Sequence, residues 1–401
     1  MDETTMAMAE VAFAAGFGSV RRFNAVFRDA YGCAPGELRR GAGRAPTLHG
    51  ARSSWRLRLD YRPPFDWERL LAFLAPRALP GVEAVADGAY RRTLRWQDLR
   101  GWIEVRPAAH GHAVDLSIHG LERCDPSDPG ADRRLPSLLP LVERARSLFD
   151  LDCDPRTIGE RLAEDPELAG RLEQAPGIRV PGAWEPFEVA VRAVLGQQVT
   201  VRGATTLAGR LIARWGEPLG GASAAPAGFG GLDRQFPTPE VLAAAPLEEI
   251  GMPGTRAEAI RRLAAAAASG GIGLDGGVAP EEAIAAMRAV RGLGDWTVQY
   301  VAMRVLGDSD AFPASDLHLR RALGRELAAR ALERRSQRWR PWRAYAAMLL
   351  WQTAGDFDGS AASNERTAAA RSPTRPIRRA PRASGRPRRL MTPRRMRGDP
   401  Q

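Results

Sequence analysis

Apolar and polar positions follow two periods along the chain, and the change of period divides it. Near the start, Ala7, Val11, Ala12, Ala15 and Phe17 form one stripe. After a Gly16-Phe17-Gly18-Ser19 turn, Phe23, Val26 and Phe27 continue at helical spacing. Ser19 is placed to cap the second helix, which ends near Gly32 and Pro35. Helix, short glycine turn and helix is the helix-turn-helix pattern, and equally that of an ordinary helical hairpin. Arg21, Arg22, Asn24 and Arg28 on the second helix suit a helix that reads a DNA groove. The period then shortens. Trp55, Leu57 and Leu59 alternate with arginines as in a half-buried strand. A helix is predicted from Phe65 to Leu79, strands over Tyr90 to Trp96, Gly101 to Val105 and Ala113 to Ile118, and a helix from Pro136 to Phe149. Residues 48–150 therefore read as a small α+β domain. Residues 151–356 read as helices with short Gly/Pro connections, interrupted at 216–236 by a Gly/Ala/Pro-rich surface excursion.

Composition changes this picture in three places. Residues 357–401 have few large apolar side chains and many Arg, Pro and Ser, so they are expected to be disordered. They hold 12 Arg against Asp358, Glu365 and Asp399, so most of the net charge of +11 belongs to them. All 58 basic residues are arginine, and without lysine no side chain can form a Schiff base. The cysteines, Cys33, Cys124 and Cys153, are too few and too far apart for a disulfide framework or a four-cysteine cluster. No apolar run approaches a membrane span, and no secretory signal is expected, so a cytoplasmic protein is.

The stretch Val290-Arg291-Gly292-Leu293-Gly294-Asp295-Trp296-Thr297 runs from one predicted helix to the next through Gly-x-Gly. Two glycines permit positive φ and close backbone approach, and the amides at the following helix start can hold a phosphate. The same spelling also occurs in plain helix–helix turns. Twenty-two residues beyond Gly294 lies Asp316, past a proline-containing loop and at a helix start, where a carboxylate can be an N-cap or a functional group. Helical spacing alone leaves Trp296, Tyr300 and Trp351 open between core packing and a pocket wall.

A hairpin followed by an Asp at this distance resembles the helix–hairpin–helix DNA glycosylase superfamily. Within it the chain looks most like the alkylpurine branch, the DNA-3-methyladenine glycosylase II family. The resemblance spans roughly residues 50–356, in order: PFDWERLLAFLAPRALPGVEAVAD (64–87), which looks like the first helix of that family's N-terminal domain; PFEVAVRAVLGQQVTVRGA (186–204); FPTPEVLAAAP; GMPGTRAEAI; the hairpin; the Asp316 loop; and RWRPWRAYAAMLLWQTAG (338–355). Separately, AEVAFAAGFGSVRRFNAVFRDAYGCAPGELRRG resembles the second helix-turn-helix of AraC-type regulators, which normally carry two such units.

The resemblance implies a multidomain, mainly α protein. A partial helix-turn-helix (1–45) precedes a TATA-binding-protein-like α+β domain (48–150), a helix–hairpin–helix domain of two lobes (151–356) and an Arg/Pro-rich tail (357–401). It implies a monofunctional glycosylase that flips alkylated purines out of double-stranded DNA, hydrolyses the N-glycosidic bond and leaves an abasic site. Asp316 aligns with the family's catalytic aspartate; the position before it, often also Asp, is Ser315. Trp296, Tyr300 and Trp351 match aromatic residues of the base pocket, and Trp296 stands where bifunctional relatives carry the Schiff-base lysine. Trp184 falls near that pocket, whereas His318 and Arg320 are assigned no chemistry. Gly292, Leu293, Gly294 and Thr297 match the DNA-binding hairpin, and Gln198 falls where relatives place an apolar wedge into the duplex. No cofactor is implied beyond the monovalent cation that such hairpins often hold through backbone carbonyls, and a monomer is expected. The N-terminal unit motivates an alternative, a regulator of the alkylation response with an inactive glycosylase-like body. The zinc-bound methyl-acceptor cysteine cluster of related fusions is absent, so self-methylation is not expected. An oxidised-purine glycosylase with lyase activity is disfavoured by the missing lysine.

Overall fold

The computed structural model describes residues 9, 12, 19–31, 54–124, 137–323 and 326–353, all within one compact unit, Met1–Gly359. The expectation of disorder over 357–401 and the first helix of the N-terminal pair lie outside the described residues, apart from Ala9 and Ala12. Helix α1 (Val20–Tyr31) forms as the pattern predicts, with the Ser19 hydroxyl accepting from Arg22 N–H at 3.2 Å. Its Phe23 and Phe27 are buried with Ala12, while Arg21, Arg22 and Arg28 are exposed.

Five strands, β1 (Trp55–Asp60), β2 (Glu83–Ala86), β3 (Ala89–Trp96), β4 (Leu99–Pro107) and β5 (Ala113–Arg123), make an antiparallel sheet in the order β1-β5-β4-β3-β2. Residues 64–87 are not one helix. They split into α2 (Trp67–Leu74), a 3-10 turn (Ala75–Arg77) and edge strand β2. Pro76 and Pro80 remove helical donors, and Gly81 turns the chain at φ +82°. On one face of β3, Tyr90 and Leu94 pack under α2 and α3 (Leu139–Leu148), with the Phe149 ring 5.5 Å from Tyr90 and 5.2 Å from Trp67.

The other face carries Arg91, Thr93 and Trp102, and residues 216–236 cover it. This segment is therefore packed and is not a surface excursion. Leu219, Ser223, Leu232 and Gln235 are buried, Phe229 meets Trp102 at 5.2 Å, and Gln235 Nε2 donates to Leu94 O at 2.7 Å. Glycine supplies the close approach: a Cβ on Gly230 (φ +91°) would lie 2.2 Å from Ala84 Cβ. A buried sheet face requires a cover, and an aperiodic segment can provide one without showing it in its pattern.

The helical body comprises α4 (Pro155–Ala163), α5 (Pro166–Gln174), α6 (Pro186–Leu195), α7 (Val201–Trp215), α8 (Pro239–Ala244), α9 (Gly254–Ala268), α10 (Pro280–Ala289), α11 (Asp295–Arg304), α12 (Leu317–Arg321), α13 (Ala329–Ser336) and α14 (Arg343–Thr353). No helix among the described residues is long and apolar enough to cross a membrane. Besides the small cluster under α1, two large apolar cores form among the described residues. One joins the sheet to α14, the other centres on α6, α7 and α9, and Tyr300 packs against both.

Buried charges stitch the sheet to α6. Arg92 Nη2 on β3 donates to Glu188 at 2.8 Å, Arg192 Nη1 donates to Glu83 at 2.9 Å and to Glu188 at 3.3 Å, and the Tyr90 hydroxyl donates to Glu83. Burial opposes ionisation of Glu83, but Arg192, Arg92 and the Tyr90 hydroxyl outweigh it and hold this carboxyl below its ordinary value.

Candidate active site

Asp316 caps α12, its Oδ1 accepting from Leu319 N–H at 2.9 Å. Two indoles then converge on the same carboxylate from distant parts of the chain. Trp296 Nε1, in the first turn of α11, donates to Oδ2 at 2.9 Å, and Trp351 Nε1, near the end of α14, donates to Oδ1 at 3.1 Å. Asp316 is half-buried between them. Three donors fix its orientation beside an aromatic wall, and no salt bridge reaches it among the described residues.

Tyr300 completes the wall. It lies one turn along α11 from Trp296, and the two rings stack with centroids 5.1 Å apart and planes 11° apart. Tyr300 stands 6.2 Å from Trp351. Its hydroxyl accepts from Arg304 Nη1 at 2.7 Å, one turn further along the helix. Burial pushes the Tyr300 phenol up, but the Arg304, Arg77 and Arg192 guanidiniums outweigh this and hold it below its ordinary value. Arg304 is itself buried, and its Nη2 donates to Gly182 O at 3.2 Å. In the sequence the signal for Arg304 is its place on the same helical face as Tyr300 and Trp296, one and two turns away.

The hairpin turns differently from the sequence expectation. Only Gly292 uses positive φ (+103°), where a Cβ would lie 2.6 Å from that of Ala259 on α9. Gly294 has φ −77° and ψ 167°, and a Cβ there would meet nothing within 4 Å. The backbone therefore needs glycine at 292 and not at 294. Leu293 is partly buried, its N–H bonded to Val290 O at 3.1 Å. The Thr297 side chain is buried and hydrogen-bonded to Gln197 Nε2 at 2.8 Å, so only its backbone can face a ligand. Gln198 stands exposed at the tip of the α6–α7 link with φ +56°. Its neighbour Gln197 carried no recognisable signal, because its partners lie far along the chain. Ser315, Leu317 and His318 are exposed beside Asp316, and Trp184 lies in the buried core under Arg92, 5.7 Å away. A cation at the hairpin would share carbonyls already bonded, Val290 O and Gly292 O. Among the described residues no group of three or more His, Cys, Asp or Glu is placed to hold a metal.

Three regions of the chain are similar to known families. Residues 1–41 match a helix-turn-helix domain, 56–185 the AlkA N-terminal domain, and 191–343 the HhH-GPD superfamily of base excision DNA repair proteins. The chain is 34% identical over 302 residues to DNA-3-methyladenine glycosylase 2 of Escherichia coli (strain K12), covering 74% of this chain and 97% of that protein. It is 40% identical over 357 residues to a Mycobacterium tuberculosis protein named probable bifunctional transcriptional activator/DNA repair enzyme AlkA, covering 88% of this chain and 68% of that one. In fold it is similar to a 3-methyladenine DNA-glycosylase from Archaeoglobus fulgidus, with a TM-score of 0.61 at 20% identity, over 76% of this chain and 99% of that one.

Proposed function

This chain belongs to the DNA-3-methyladenine glycosylase 2 family of DNA glycosylases, and from that membership we propose how its centre works and on what. The substrate is an N3- or N7-alkylated purine in double-stranded DNA, and the protein acts as a cytoplasmic monomer. Such a base is cationic and its glycosidic bond is weakened. Stacking and cation–π attraction to Trp296, Tyr300 and Trp351 select it once it is flipped out, each contact contributing about 0.5–2 kcal/mol. The leaving group already carries positive charge, so no general acid is needed to start departure. Positive charge then grows on the sugar, and the Asp316 carboxylate stabilises it and orients the attacking water. With no lysine to form an imine, the product is an abasic site.

The observation that carries this reading is the pair of indole N–H groups on Asp316, which brings the aromatic wall and the carboxylate to one point. The hairpin amides around Gly292, Leu293 and Gly294 hold a backbone phosphate, and Gln198 enters the gap left in the duplex. The open space around a Cβ at Gly294 supports close approach of a phosphate there. The test is release of 3-methyladenine from methylated duplex DNA by wild type and by Asp316→Asn. The variant should lose about 10²–10³-fold in rate while still binding DNA. Equal release by the two proteins would remove Asp316 from the chemistry.

A second reading, DNA binding through the N-terminal unit in a regulatory role, is favoured by the exposed Arg21, Arg22 and Arg28 on α1. It requires sequence-specific binding that survives Asp316→Asn and is lost with Arg21→Ala and Arg22→Ala together. If binding is sequence-independent, this reading is excluded.

A further inference from the structure

The link between α6 and α7 carries Gln198 and Val199 exposed at its tip, and Thr200 ends it by capping α7 with a 3.1 Å bond from Gly203 N–H. Within this link, among the described residues, Gln197 is the one with hydrogen bonds to the hairpin and to α9. Its Nε2 donates to Gly292 O at 3.2 Å and to Thr297 Oγ1 at 2.8 Å, and its backbone carbonyl accepts from Arg256 Nη2 on α9 at 2.5 Å. These bonds cross 95, 100 and 59 residues of sequence. They join the exposed tip, the hairpin turn and the start of α9, and Gly292 already packs directly against Ala259 of α9.

From this geometry we infer that Gln197 is a positioning residue that makes the tip and the hairpin one rigid unit, so that phosphate capture sets where Gln198 enters the duplex. The inference rests on the glycosylase reading above and adds a residue to it. A link with a left-handed residue at its tip has many conformations when untethered. Ordering it during extrusion would cost entropy at the step where the base leaves the stack. A glutamine fits this place because both hairpin partners are acceptors and an amide nitrogen donates two bonds.

Gln197→Met keeps chain length and bulk and removes the donors. Single-turnover excision is followed for an N-alkylated purine paired in a duplex and for the same lesion unpaired in a bulge, with 2-aminopurine beside the lesion reporting extrusion. The variant should slow excision and extrusion in the duplex about tenfold, the loss of two hydrogen bonds. Excision from the bulge and affinity for undamaged duplex should stay within about twofold of wild type. Gln197→Glu should lose more in the duplex, because a carboxylate then faces the Gly292 carbonyl. Equal losses on both substrates, or no loss in the duplex, overturn the inference. If wild type excises neither lesion, the glycosylase reading is what fails, and the extrusion signal with retained affinity still decides the role of Gln197.

Discussion

The seam between sheet and helical body and the mouth around Asp316 both hold carboxyl groups, and they treat them in opposite ways. At the seam, Glu83 and Glu188 are buried and each meets an arginine within 3 Å. At the mouth, Asp316 is half-buried and is held by indole and backbone N–H groups that carry no formal charge. Buried opposite charges satisfy one another and resist separation. Neutral donors fix the orientation of a carboxyl group without supplying an opposite charge. The arginine-rich composition thus serves rigidity in one region and stands back from the carboxylate in the other. The buried arginine of α11, Arg304, holds Tyr300 and two backbone carbonyls.

The largest break in this comparison should come at the seam. Arg92→Met leaves Glu188 with Arg192 alone and should cost about 3–5 kcal/mol in denaturant unfolding. Activity per folded molecule should be kept, which separates seam from mouth. Asp150 offers an intermediate case, a partly buried carboxyl without full compensation. Burial pushes it up to about 6, and the opposing bonds from Val180 N–H and Tyr345 and the nearby Arg179 do not restore it. With its unfolded value near 3.8, it ionises more readily in the unfolded chain. Its contribution to stability is therefore complete below pH about 4, falls as pH rises through about 6, and is constant above. Asp150→Asn should remove this slope, worth up to about 3 kcal/mol, when unfolding is compared at pH near 4 and near 7.

At the mouth, Trp296→Phe keeps an aromatic ring and removes one N–H from Asp316. Excision should slow about tenfold with melting temperature nearly unchanged; an unchanged rate would show that the second indole suffices. The smallest effect on stability should come at Gly294. Gly294→Ala should leave the melting temperature unaltered, since the added Cβ meets open space, yet weaken DNA binding a few-fold if a phosphate sits there. Gly292→Ala should destabilise through its positive φ and the Ala259 contact, and a stable Gly292→Ala protein would contradict the turn described above.

What sequence reading reached was local or carried by resemblance. Ser19 and Asp316 cap their helices as their positions imply, because a capping bond spans only three residues. Strands β3, β4 and β5 appear where the pattern predicts them, and β4 and β5 run on past it through partly exposed residues, where ladder pairing rather than apolar spacing continues the strand. Only family resemblance singles out Trp296, Tyr300 and Trp351, since helical spacing equally allows core positions. The sequence by itself determined the periodic elements, the lack of any imine-forming lysine and the residue types available at the mouth. Tertiary structure decided that 216–236 covers a sheet face and that Gln197 grips the hairpin. It also decided that indoles 20 and 35 residues from Asp316 donate to opposite oxygens of one carboxylate. Patterns along a chain report contacts over a few residues. Bonds between distant side chains exist only after two apolar cores have set the distance between the helices that carry them.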